Sequence, residues 1–97
     1  MTIKRVDLIY VDANTFIIVL MLSDNSVKSK LVHLPLSVDQ RLVQRLSALF
    51  NSNFTDITED QITSLLINTT ERAADDTIGL TSVISAFAIE VLRRRAL

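Results

Sequence analysis

The chain has 97 residues, of which 48% are hydrophobic and 22% charged, and its formal net charge is −1. These values are typical of one globular domain or a piece of one, and they exclude a disordered chain. The balanced charge gives no reason to expect binding to a nucleic-acid backbone. The lack of cysteine excludes disulfides, thiolate metal sites and thiol nucleophiles.

The first third of the chain predicts three strands. Residues 6–11 alternate with a period of two, Phe16–Leu22 is an apolar run rich in β-branched residues, and residues 27–34 form a third strand that ends before Pro35. Short polar turns separate them, which is typical of an antiparallel meander. We therefore expect a β-meander over residues 1–36 and a helical part over residues 37–97, within a single regulatory module.

The middle strand is apolar at consecutive positions, so both of its faces should be covered. Two arrangements stay open. The helices could divide between the two sheet faces, or some apolar surface could be covered by another part of a longer protein or by a second copy. The run Phe16–Leu22 is also too short to cross a membrane, which takes ~20 residues. Without a signal-peptide pattern, the sequence predicts a cytoplasmic protein.

The second part of the chain predicts three helices. Ser37 lies three residues before Gln40, and Thr58 lies three residues before Gln61, which are two capping-box patterns at helix starts. A long last helix reaches Arg95. Whether the chain breaks or bends through between Asn68 and Asp76 stays open.

The last helix has a wider apolar surface than one sheet face requires. That excess predicts an interface on this helix and favours a homodimer. The predicted interface residues are Ile78, Val83, Phe87, Ile89 and Val91.

Candidate chemistry is sparse, and the sequence predicts neither an enzyme nor a cofactor. His33, the only histidine, could act as a general base oriented by Asp24 or Asp39, but a lone histidine among unspecific serines has no predictive weight. Two acidic clusters lie at predicted helix starts, where capping explains them better than a metal site. The clusters are Asp56, Glu59 and Asp60, and Asp75 and Asp76. Arg93, Arg94 and Arg95 suit a helix C-terminus better than nucleic-acid binding.

An apolar strand ends in Met-Leu-Ser-Asp at residues 21–24, a hairpin leads to Val-Lys-Ser-Lys-Leu-Val at residues 27–32, and Leu34-Pro35 follows. A helix ending in Leu-Phe-Asn at residues 49–51 completes this ordered set of motifs. With these motifs, the stretch Asp7–Ile62 resembles the heat-inducible transcription repressors of the HrcA family. The family usually has Gly in the hairpin turn, whereas this chain has Asp24-Asn25-Ser26, and Asn tolerates the left-handed conformation.

The resemblance implies a fragment from the middle of a repressor: part of a GAF-like regulatory domain, with the last helices beginning the inserted dimerisation region. It implies control of chaperone operons, a chaperonin as a partner of the parent protein, and a DNA operator that is bound by a winged-helix part outside this chain. Two rival functions are a small-molecule-sensing α+β module of another regulator and a small hydrolase that uses His33.

Overall fold

The computed structural model describes residues 1–95, which form three strands followed by three α-helices. The strands are β1 (Ile3–Asp12), β2 (Thr15–Leu22) and β3 (Val27–His33), and the helices are α1 (Gln40–Asn53), α2 (Ser64–Ala74) and α3 (Leu80–Arg95). A single 3₁₀ turn, Glu59–Gln61, lies between α1 and α2. All strand pairs are antiparallel in the order β1–β2–β3. The α+β fold with a three-stranded meander followed by three helices is confirmed.

The hairpin turn between β2 and β3 functions without glycine. Asn25 adopts the left-handed conformation with φ 66°, which a short polar side chain tolerates. Asp24 fixes the turn, since its Oδ1 accepts hydrogen bonds from the amide and the hydroxyl of Ser26. The expectation that Asn25 replaces the usual glycine is therefore confirmed.

One face of the sheet carries the core. Alternate strand residues point to the same face, and those on the inner face of β1 and β2 are buried together with residues of all three helices. Helix α1 packs on β1, and α2 packs on α1 and α3. The buried strand residues are Ile3, Val6, Leu8, Phe16, Ile18, Leu20, Leu22 and Val32.

Helix α1 also closes the outer edge of β1. The Leu8 amide donates to Ser47 Oγ at 3.0 Å and the Val6 amide to Asn51 Oδ1 at 3.4 Å. Further along the edge, Ile3 exchanges backbone hydrogen bonds with Ile57 and Asp56. These side-chain and backbone oxygens accept hydrogen bonds from amides on the open edge of β1. Because those amides are already bonded, a further strand could not pair readily with β1.

The helix starts differ in part from the predicted ones. Helix α1 is capped by Asp39, whose carboxylate accepts from the Arg41 amide, and Ser37 is not the cap. The capping box of Thr58 and Gln61 is present, but it starts the 3₁₀ turn. Helix α2 begins later, with Thr63 as its N-cap. A two-residue difference in cap position is common because several polar residues compete for the same role.

The chain does break before the last helix, but later than the weakened pattern at Asn68 suggests. Helix α2 runs through to Ala74 and ends on Asp75, which is left-handed with φ 54°. The side chain of Asp76 then organises the start of α3. Asp76 Oδ1 accepts from the amides of Ile78 and Gly79, and Oδ2 accepts from the amide and hydroxyl of Thr81.

Ser85, in the middle of α3, is buried and its hydroxyl has no hydrogen-bond partner among the described residues. A buried hydroxyl without a partner loses its hydration without compensation. We expect Ser85→Ala to raise the free energy of unfolding by about 1–2 kcal/mol in urea denaturation. The matched control is Ser82→Ala on the exposed side of the same helix, which should gain only the helix propensity of alanine. Equal effects of the two changes would contradict this account.

Candidate interaction surface

The face of the sheet that points away from the helices is apolar, and we call it the outer sheet face. Its centre is the row Ile9, Ile17 and Leu31, whose residues are paired across the three strands. The same alternation places three further apolar residues on this face, which are Val19, Met21 and Val27. The exposed Val11 lies next to this face, at the register shift between Tyr10 and Asp12.

The outer sheet face is open to solvent in the described chain. Leu31 is 63% exposed, and Ile9, Val11 and Val27 are each about half exposed, while the three residues of β2 are half-buried by their neighbours. Of the two arrangements left open by the sequence, residues 1–95 do not form the first, since their own helices leave the outer face of the middle strand uncovered. All three helices contribute to one core on the inner face, so the helices do not divide between the faces.

Polar residues border this apolar surface. Arg5 and Asp7 on β1 form an ion pair with Nε–Oδ2 at 2.7 Å, and the Asp7 hydrogen bond raises the pKa of Arg5. Ser29 lies on β3 across from them, paired with Val19. An apolar centre with a polar border is the arrangement of a protein interface, and soluble monomers rarely expose a continuous patch of several hundred Å².

The five interface residues predicted on the last helix fall in different environments. Ile78 precedes the helix and is 40% exposed, and Val83 and Ile89 are half-buried against the core. Phe87 and Val91 are buried, which leaves them too little area for a protein interface. Most of the wide apolar stripe of α3 is therefore buried within the chain, since this helix packs on the inner sheet residues, on α2 and on the 3₁₀ turn.

A groove with a volume of about 420 Å³ runs between α3 and β3. Phe87 and Val91 line its apolar part. Lys28, Ser29, Glu90, Arg94 and Arg95 supply the polar lining. Lys28 and Lys30 precede the buried Val32 on the inner face of β3, so the first part of this edge strand carries charged side chains where the rest of the inner face is apolar.

Each arginine at the end of α3 has a carboxylate partner within the chain. Arg93 pairs with Glu59, Arg94 with Glu90 four residues earlier, and Arg95 with Asp24 in the β2–β3 turn. The Ser26 hydroxyl and amide, together with Arg95, lower the pKa of Asp24 to about 2. Because the three charges are already neutralised, this cluster is a poor contact for phosphates.

His33 lies apart from both predicted orienting partners. Its Nδ1 is 3.1 Å from Thr15 Oγ1 on the neighbouring strand. Asp24 instead binds Ser26, and Asp39 caps α1. The structure therefore does not form the candidate arrangement in which Asp24 or Asp39 orients His33 as a general base.

The acidic clusters have local roles. Asp60 accepts from the Thr58 hydroxyl at 2.5 Å, Glu59 binds Arg93, and Asp76 binds the start of α3. Among residues 1–95, no group of three or more metal-binding side chains comes together. These carboxylates stabilise helix starts and one tertiary contact, which is ordinary use of such residues.

The chain was compared with protein-family models, with curated proteins and with solved structures. A family model described as HrcA protein C terminal domain matches residues 1–96. No curated protein and no solved structure matches the chain significantly. Within the described residues, no helix combines the length and the apolar character that crossing a membrane requires.

Proposed function

The chain belongs to the HrcA family of heat-shock transcription repressors, and from this premise we propose that it is the central regulatory and dimerisation region of a repressor of chaperone operons. In this proposal residues 1–97 act as one regulatory module of GAF-like type. The DNA operator is contacted by another part of the repressor, and a chaperonin is the further partner through which stress is sensed.

The observation that carries the proposal is the open, apolar outer sheet face. Its exposed residues come from β1 and β3, and the half-buried Ile17 of β2 joins Ile9 to Leu31 in one row. Removing such a surface from water is favourable at roughly 25 cal/mol per Å² before association costs are counted. A surface of this kind is more stable when a partner covers it.

We propose a second copy of the chain as that partner. Two sheets pack face to face at ~10 Å with their strands nearly aligned, and a flat apolar face meets this geometry on both sides. Two such faces with their polar borders would bury on the order of 1,000 Å², which is what a specific interface needs. A two-fold dimer also suits a repressor that reads an inverted-repeat operator, because the symmetry of the protein then matches that of the site.

The carboxylate partners of Arg93, Arg94 and Arg95 support the division of labour in this proposal. Together with the net charge of −1 they make this module an unfavourable surface for DNA. The module would then act by setting the distance and symmetry of two DNA-reading heads.

The test is the mass of the chain in solution across a concentration series. We expect sedimentation equilibrium to show a change from the 10.9 kDa monomer to twice that mass, with half-dissociation at roughly 1–100 μM, as for interfaces of modest size. A chain that stays monomeric at millimolar concentration would contradict the proposed dimer.

A further inference from the structure

The groove between α3 and β3 is separate from the outer sheet face and is not needed for dimerisation. We propose that it is a binding site for a small aromatic monocarboxylate. The site combines an apolar floor, a basic border and a volume in the range of small-molecule sites, which is ~300–1,000 Å³.

The apolar floor comes from the last helix. Phe87 and Val91 lie one helical turn apart on the same face of α3, and the small exposed part of each side chain, 9% and 7%, borders the groove. The Phe87 ring already holds a cation, because Lys30 Nζ lies 5.9 Å from its centroid. An aromatic ring in the groove can contact the edge of Phe87 and the methyl groups of Val91, which favours a flat ligand over a branched one.

The basic border gives the sign of the ligand's charge. Lys28, Arg94 and Arg95 face a single carboxylate, Glu90, in a chain whose net charge is −1. Arg95 is bound to Asp24 and Arg94 to Glu90, whereas Lys28 and Lys30 form no ion pair within residues 1–95. Lys28 is therefore the ammonium group that is available for a ligand carboxylate.

The position of the lysines is unusual for a purely structural role. Lys28 and Lys30 occupy successive inner-face positions of β3, where a sheet covered by a helix normally has apolar residues. Inward-pointing lysines also protect an edge strand such as β3 from pairing. Two lysines above an apolar floor produce an amphipathic groove, and that arrangement is what an amphipathic anion requires.

The size of the groove argues for a small molecule instead of a protein segment. A peptide helix or strand needs an extended surface, whereas this groove is bounded by one helix and one strand edge. A two-ring carboxylate fits the volume and can place its carboxylate at Lys28 while its rings contact the exposed edge of Phe87.

The experiment titrates 2-naphthoate into the ¹⁵N-labelled chain, with 2-naphthalenemethanol as the uncharged analogue of the same shape. We expect sub-millimolar binding of 2-naphthoate, which is the order expected for a ligand of this size, with the largest amide shifts at Lys28 and Val91. The alcohol should bind at least about fivefold more weakly, because it lacks the charge-assisted hydrogen bond. Shifts confined to the outer sheet face, or equal binding of the two compounds, would overturn the proposal.

Three variants, each replacing one charged residue with glutamine, should change the affinity for 2-naphthoate in different directions. Lys28→Gln should weaken 2-naphthoate binding by about fivefold or more, and Glu90→Gln should strengthen it, because it frees Arg94 and removes a negative charge. Arg41→Gln, on the exposed side of α1, should leave it unchanged. All three positions are exposed, so the fold should tolerate the changes. Equal affinities of the three variants would show that charge at the groove does not recognise the ligand. The dimer test is independent of this result, since it concerns the other face of the sheet.

Discussion

Replacing Leu31 with lysine is expected to convert the proposed dimer to a monomer, with a dissociation constant raised by about 100-fold or more. Leu31 is the most exposed apolar residue of the outer sheet face, and in a two-fold dimer the change occurs twice. Each copy loses the burial of a leucine, ~1.5 kcal/mol or more, and ~3 kcal/mol in total corresponds to the stated factor. Sedimentation velocity across a concentration series measures it.

The matched control is Leu65→Lys. Leu65 lies on α2, is 73% exposed, and receives the same change away from the sheet. Because both leucines are largely exposed and Lys28 and Lys30 already occupy β3, neither variant should lose more than about 0.5 kcal/mol of folding stability. Loss of association in Leu65→Lys, or unchanged association in Leu31→Lys, would place the dimer contact elsewhere.

A third variant compares the sheet with the helix surface that the sequence predicts. Ile78→Lys changes the most exposed of the five predicted interface residues. If the outer sheet face forms the contact, this change leaves the dissociation constant within about threefold of the original, since a charge outside the interface acts only at long range through screening solvent. A strong effect of Ile78→Lys would instead support the helix surface.

The sequence predicted the elements well where local chemistry decides them. The turn at Asp24 and Asn25 and the antiparallel meander follow from residue types whose backbone preferences do not depend on distant contacts. The cap of α1 was placed at Ser37 instead of Asp39 because both residues can accept from a helix start, and only the path of the chain after β3 decides between them.

The sequence could not predict which apolar surface stays open. The stripe on α3 and the run Phe16–Leu22 both contain more apolar residues than one contact needs, so composition alone could not rank them. The register places Ile9 and Leu31 on either side of Ile17, and this row is visible only once both hairpins are aligned. The period-two rule applied across the hairpins was the signal that could have found the outer sheet face.

Phe87 and Val91 show why a helical stripe is a weak guide to an interface. Both belong to the widest apolar surface in the sequence, and both are buried by the chain itself. A wide stripe also arises when a helix touches more than one neighbour, and α3 packs against the inner sheet residues, α2 and the 3₁₀ turn. Exposure, which needs the tertiary structure, separates these two causes.

Replacing Asp76 with asparagine is expected to lower the free energy of unfolding by about 2–3 kcal/mol at neutral pH. The carboxylate is 4% exposed, and its two oxygens together accept four hydrogen bonds at the start of α3. An amide group would turn one oxygen into a donor that faces two other donors, and buried donors without acceptors are costly. Urea denaturation followed by circular dichroism measures the loss.

The neighbouring Asp75→Asn is the control. Asp75 is exposed and left-handed, a conformation that asparagine adopts readily, so this change should alter the free energy of unfolding by no more than about 0.5 kcal/mol.

The difference in the free energy of unfolding between the wild type and Asp76→Asn should also depend on pH. Burial raises the pKa of Asp76, but the hydrogen bonds from Thr81 and the Ile78 amide outweigh it, so the pKa lies below its usual value. A lowered pKa in the folded chain means that the stabilisation is present above the unfolded pKa of about 4 and is lost as the pH falls through the folded value. The difference in the free energy of unfolding between the two proteins should therefore become smaller in acid. A difference that stays constant from pH 7 to below the folded pKa would show that Asp76 does not stabilise the start of α3 as an anion.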